Sequence, residues 1–171
     1  NSTAGDNSIE FDSGVFAGTQ TITLGSVLTV NDPTGTTTII GAAGNTVTIS
    51  GGLTTGIIKA LSPLSLSGLT LTKGMGAAMA RGVSGGAIYS DALLQITNCS
   101  ITDSQANAGG GVFIDVHGQL QISRSTLSGN RGYGDGGAVF IDCTPHLSTF
   151  ENVTIANNWS HGIFSITGPM E

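Results

Sequence analysis

The chain has 171 residues, 27 of them glycine, with only 9% charged and a formal net charge of −6. Its basic residues are Lys59, Lys73, Arg81, Arg124 and Arg131, too few to bind a phosphate backbone, which excludes nucleic acid as a partner. Apolar residues make up 39% and fall in short pieces, enough for one core and against disorder, with no run long enough to form a transmembrane segment.

The chain opens at Asn1 without an initiator Met or the regions of a signal peptide, so a processed chain or an excised segment is expected. Residues 1–50 read as a cap and first coils. They hold the short alternating pieces Ile9-Glu10-Phe11, Thr21-Ile22-Thr23-Leu24, Val27-Leu28-Thr29-Val30, Thr38-Ile39-Ile40 and Thr46-Val47-Thr48-Ile49. Residues 12–17, with Val15 and Phe16, are expected to lie over the open end of a core.

Residues 51–168 read as repeat coils of the same single domain, 1–171. Leu64-Ser65-Leu66 and Leu69-Thr70-Leu71-Thr72 come first, and the segment 74–84 interrupts the pattern as an insertion loop. Three openings then recur: Gly85-Gly86-Ala87-Ile88-Tyr89-Ser90-Asp91, Gly109-Gly110-Gly111-Val112-Phe113-Ile114-Asp115 and Gly136-Gly137-Ala138-Val139-Phe140-Ile141-Asp142, in steps of 24 and 27. Each is followed by a second piece (Leu94-Gln95-Ile96, Leu120-Gln121-Ile122, Ser148-Thr149-Phe150) and a third (Cys99-Ser100-Ile101-Thr102, Ser125-Thr126-Leu127-Ser128, Val153-Thr154-Ile155-Ala156).

Pieces this short that alternate with period two are strands, and three per coil make an all-β solenoid, a right-handed parallel β-helix. Stacking coils about 4.8 Å apart aligns inward side chains in columns, with Leu71, Ile101, Leu127 and Ile155 as one column. A β-sandwich has no reason to repeat the glycine opening in register, and a hexapeptide helix needs a six-residue period that is not present. No cap is evident near Pro169-Met170-Glu171, so further coils or self-association are expected at that end.

The double-glycine openings, above all Gly85-Gly86-Ala87-Ile88 and Gly136-Gly137-Ala138-Val139, resemble bacterial surface β-helix repeats of the polymorphic-outer-membrane-protein and CSLREA-domain type. Leu127-Ser128-Gly129-Asn130 and Ile155-Ala156-Asn157-Asn158 approximate the companion Phe-x-x-Asn motif. The N-terminal pieces from Ser8 to Gly51 also look like the first coils of CSLREA-type proteins. The resemblance implies secretion or display on a bacterial surface and a larger parent protein. It implies no particular reaction, because fold does not fix function.

Asp91, Asp115 and Asp142 align across three coils. A column of carboxylates either holds calcium, which collects oxygen ligands, or makes a turn in each coil; the turn is the expected role, and no cofactor other than calcium is expected. Tyr89, Phe113 and Phe140 align beside Ile88, Val112 and Val139, and alternation sends only one series inward. The aromatics are thus either an outer strip suited to sugar rings or an interior stack, and interior packing is the expected one.

The hydroxyls Thr70, Thr72, Ser100, Thr102, Thr126 and Ser128, with Thr154 and Ala156, flank the inward column and would form a flat outer face. Such a face suits ice, or is simply ordinary β-propensity. Asp103, Asp115, Asp135, Asp142, Glu151, Arg124 and Arg131 could in principle serve a polysaccharide lyase or hydrolase, but no converging pair is identifiable and no catalytic residue is named. His117, His146 and His161 lack metal-ligand spacing. Cys99 and Cys143 occupy different places in the repeat and are expected to be free. The leading reading is a non-enzymatic secreted or cell-surface protein for adhesion to polysaccharide or a host surface. A carbohydrate-active enzyme and an ice-binding protein are the alternatives.

Overall fold

The computed structural model describes residues 5–32, 34–44, 46–76, 78–79, 82–142 and 147–166. Among them there is no helix, and three six-stranded parallel sheets stack into a parallel β-helix with three strands per coil. Sheet A comprises Asn7–Glu10, Thr37–Ile40, Leu64–Ser67, Leu93–Thr97, Gln119–Ser123 and Thr149–Glu151. Sheet B comprises Gln20–Thr23, Val47–Ser50, Leu69–Thr72, Ser100–Thr102, Thr126–Ser128 and Thr154–Ala156. Sheet C comprises Leu28–Val30, Ile58–Ala60, Ile88–Ser90, Val112–Ile114, Val139–Ile141 and Ile163–Ser165.

The corners explain the repeat. Between sheets A and B, Gly68, Asn98, Arg124 and Asn152 occupy one corner column with φ of 66°, 52°, 45° and 53°. After sheet B, Lys73, Asp103, Gly129 and Asn157 do the same with φ of 53°, 52°, 68° and 55°. Glycine takes this left-handed backbone freely and Asn or Asp tolerates it, which is why such residues punctuate every coil.

The double glycine combines two requirements. Its first member turns the chain into sheet C, with φ of 68°, 62° and 61° at Gly85, Gly109 and Gly136. Its second member allows neighbouring coils to touch: a β-carbon on Gly86, Gly110 or Gly137 would lie 2.0, 2.4 or 2.1 Å from the carbonyl oxygen of Gly110, Arg131 or Trp159. No side chain fits there without moving backbone.

With the corners fixed, register follows. Ile22, Ile49, Leu71, Ile101, Leu127 and Ile155 are successive partners in sheet B. Ile9, Ile39, Leu66, Ile96, Ile122 and Phe150 are successive partners in sheet A. Leu66, Leu71, Ile88, Ile96, Ile101 and Leu127 are fully buried, and each such side chain contributes about 1.5–3 kcal/mol. Phe11 and Phe16 meet edge to face at 5.0 Å and pack against this core. Val15, expected to cover it with Phe16, is 63% exposed instead.

Two features lie outside the three-strand pattern. Gln105–Ala108 and Arg131–Asp135 form a short parallel pair, sheet D, between sheets B and C. Within 74–84, Ala78–Met79 pairs antiparallel with Gly82–Val83, while Met75 bridges Gln105 and Ser84 bridges Ala108. The segment thus leaves and rejoins the solenoid on the sheet D side.

Candidate functional site

Sheet B's outward residues form a grid. One column runs Thr21, Thr48, Thr70, Ser100, Thr126, Thr154, and its neighbour runs Thr23, Ser50, Thr72, Thr102, Ser128, Ala156. Every position but Ala156 carries a hydroxyl, and the strands of sheet B contain no charged residue. Spacing is about 4.8 Å along the axis and about 6.7 Å along a strand. Thr102 donates a hydrogen bond to the Thr72 hydroxyl at 3.1 Å, tying two rungs together. Ser50 is buried and accepts from the Gly52 amide, so it is a less accessible position of the grid.

The aromatic series lies on sheet C's outer side. Ile88, Val112 and Val139 point into the core, whereas Phe113 and Phe140 do not belong to the core cluster. The expected interior stack is thereby corrected, because the aliphatic rows fill the inward positions. An open sugar platform is not formed either. Tyr89, Phe113, Phe140 and Phe164 lie ring on ring, with centroids 5.9, 5.0 and 5.3 Å apart. Phe113 and Phe140 are only 4% and 7% exposed, since each ring covers the next. Lys59 lies 6.0 Å from the Tyr89 centroid at the other end of this stack.

Asp91, Asp115 and Asp142 stand one residue past sheet C on successive rungs, their amides donating to the carbonyls of Ala60, Ser90 and Ile114. Their carboxylates meet different donors. Asp91 accepts from the His117 amide and contacts His117 Nδ1 at 3.0 Å, while Asp115 accepts from the Val116 amide and the Tyr89 hydroxyl. These contacts fit turn-making carboxylates. Among the described residues, no three His, Cys, Asp or Glu side chains assemble a metal-holding group.

The other ionisable residues are dispersed. Glu151 lies on sheet A, where Gln95 donates to Gln121 at 2.9 Å and Thr97 meets Ser123 at 3.2 Å. Asp135 ends a sheet D strand and meets His161 at 3.3 Å. Arg124 donates to Asn98 at a corner, and Asp103 occupies another. Cys99 is a free, buried thiol whose pKa is pushed up by burial. Arg81, Cys143 and His146 lie outside the described residues.

Two arrangements escaped the sequence reading. Asn130, fully buried, accepts from the Ser104 amide at 3.1 Å and donates to the Ile101 carbonyl at 2.8 Å, while Asn158 repeats the role one coil on by donating to Leu127. The Asn of the approximate Phe-x-x-Asn motif is therefore an internal ladder.

The second is exposed. Arg131's guanidinium lies 4.4 Å from the Tyr133 ring centroid and 4.9 Å from the Trp159 ring centroid, and those rings are 59% and 66% exposed. The signal for it was a fixed offset: Met75, Gln105, Arg131 and Trp159 each follow their inward sheet B residue by four positions.

Among the described residues, no helix is long and apolar enough to cross a membrane. Comparison with protein-family models, curated proteins and solved structures finds no match.

Proposed function

We propose that this β-helix is a non-enzymatic, secreted or surface-displayed protein that contacts a polysaccharide through the outer face of sheet B. The observation that carries this reading is the uncharged hydroxyl grid held in register across six strands. A stack of backbone-fixed hydroxyls meets the repeating hydroxyls of a glycan chain with little ordering cost, because the strands are already rigid. The likeness of the glycine openings to bacterial surface β-helix repeats supports display outside the cell. Of the carboxylates on adjacent rungs past sheet C, Asp91 and Asp115 are already engaged by His117, Val116 and Tyr89, which favours contact over hydrolysis, a reaction that needs two available carboxyls about 5–10 Å apart.

The test is binding of the intact chain to an array of neutral and charged glycans. Saturable binding to a neutral polysaccharide that Thr102→Tyr abolishes is the expected result, and a blank array overturns the proposal. Ice is a second reading, favoured specifically by the unbroken column Thr21, Thr48, Thr70, Ser100, Thr126, Thr154. Thermal hysteresis that disappears in Thr72→Tyr would establish it, and its absence in the unmodified chain would retire it.

A further inference from the structure

We infer that Trp159, Arg131 and Tyr133 form a second saccharide site, selective for sugars that carry a carboxylate. The inference takes its ligand class from the polysaccharide-contact reading, but rests on residues separate from the sheet B grid.

The site is fixed by backbone. Arg131 pairs with Gln105 in sheet D and is bridged to Trp159 on the next rung. Trp159 donates its amide to the Asn130 carbonyl at 2.8 Å, and its own carbonyl accepts from Gly132 at 3.3 Å. Tyr133 is anchored at its far end, where its hydroxyl donates to Gln105 Oε1 at 3.0 Å. Three side chains of adjacent rungs are thereby held together, with Tyr133 and Trp159 left exposed by the described residues.

Their chemistry is specific. A tryptophan 66% exposed and a tyrosine 59% exposed forgo the gain from burying large apolar rings. Between them lies a cation which, among the described residues, has no carboxylate and no side-chain hydrogen-bond acceptor. A guanidinium is a planar fork of N–H donors that matches a carboxylate through two parallel bonds. Exposed ring surface beside that fork accepts the C–H face of a pyranose. A uronic acid presents both features on one ring. A nucleic acid would stack equally well, but its phosphates would meet a chain of net charge −6.

Trp159 is the only tryptophan in the chain, so its fluorescence reports on this site alone. The intact protein is titrated with alginate oligosaccharides, which are uronates, and separately with neutral cello-oligosaccharides. The uronate is expected to change Trp159 emission saturably, to lose affinity with rising salt, and to bind about tenfold more weakly to Arg131→Gln. Tyr133→Ala, at an exposed position, carries the same comparison should Arg131→Gln alter the circular dichroism.

A uronate that leaves the emission unchanged, or that binds both variants as well as the parent, overturns the inference. The two readings fail separately. Neutral-glycan binding with silent Trp159 leaves the sheet B grid standing and removes this site. A uronate response retained in Thr102→Tyr, with no neutral-glycan binding, does the reverse.

Discussion

A β-carbon added to Gly86 would stand 2.0 Å from the carbonyl oxygen of Gly110. The two glycines occupy the same place in successive coils, so the closeness of one coil to the next is set there by the absence of side chains. Gly86→Ala forces backbone apart and is expected to destabilise the protein by about 3 kcal/mol or more. Gly18→Ala, with nothing within 4 Å of the added carbon, is expected to stay within about 0.5 kcal/mol. Urea unfolding checks both; coincident midpoints for the two variants would contradict the close stacking.

Asn130 ties its coil to the one before it, through the Ser104 amide and the Ile101 carbonyl, and its own amide donates to Asn158 of the coil after it. Asn130→Leu leaves those buried groups without their partner and is expected to cost about 3 kcal/mol. The loss should be local as well as global, appearing as faster hydrogen exchange at the Ser104 amide. Unchanged exchange there would show that the ladder contributes nothing.

The coil architecture was legible because identical residues recur where the physics repeats: Gly85, Gly109 and Gly136 at one corner, and Leu71, Ile101 and Leu127 in one core column. What alternation could not settle was coverage. It divides Ile88 from Tyr89 by side, yet Phe113 on the outer side is nearly as hidden as a core residue because Tyr89 and Phe140 cover its faces. Sheet D was missed for a different reason. Gln105, Arg131 and Trp159 share no residue type, and only their common offset from the core column places them on one ladder.

Asp32 gives the protein an acid-sensitive element. The Thr34 hydroxyl and amide, at 2.6 and 2.9 Å, hold its carboxyl below the ordinary value of 3.8, outweighing the opposing effect of desolvation, and the Asn7 amide group adds a smaller contribution in the same direction. A depressed folded-state pKa adds stability that is complete above the unfolded value, about 3.9, and is lost as pH falls through the folded value. Asp32→Asn should therefore melt below the parent at neutral pH, with the gap closing in acid. A gap of constant size from neutral to strongly acidic pH would rule out this linkage.

Burial raises the pKa of Cys99 and keeps its thiol from solvent, so the nucleophilic thiolate is scarce at neutral pH. Iodoacetamide followed by peptide mapping is expected to leave Cys99 unmodified in the native protein and to label it fully in urea. Native labelling at the rate of a free thiol would mean that the sheet A to sheet B corner opens readily.

The central claim concerns the hydroxyl grid, and the most direct measurement is co-sedimentation of the intact chain with an insoluble neutral polysaccharide, comparing the parent with Thr102→Tyr. Thr102 lies in the grid's middle, half-buried between Thr72 and Ser128, where a phenol ring breaks the flat face without entering the core. The account predicts that the parent sediments with the polysaccharide and that the variant, with unchanged melting temperature, binds at least about tenfold more weakly. Equal binding by parent and variant would contradict it and move the contact face away from sheet B.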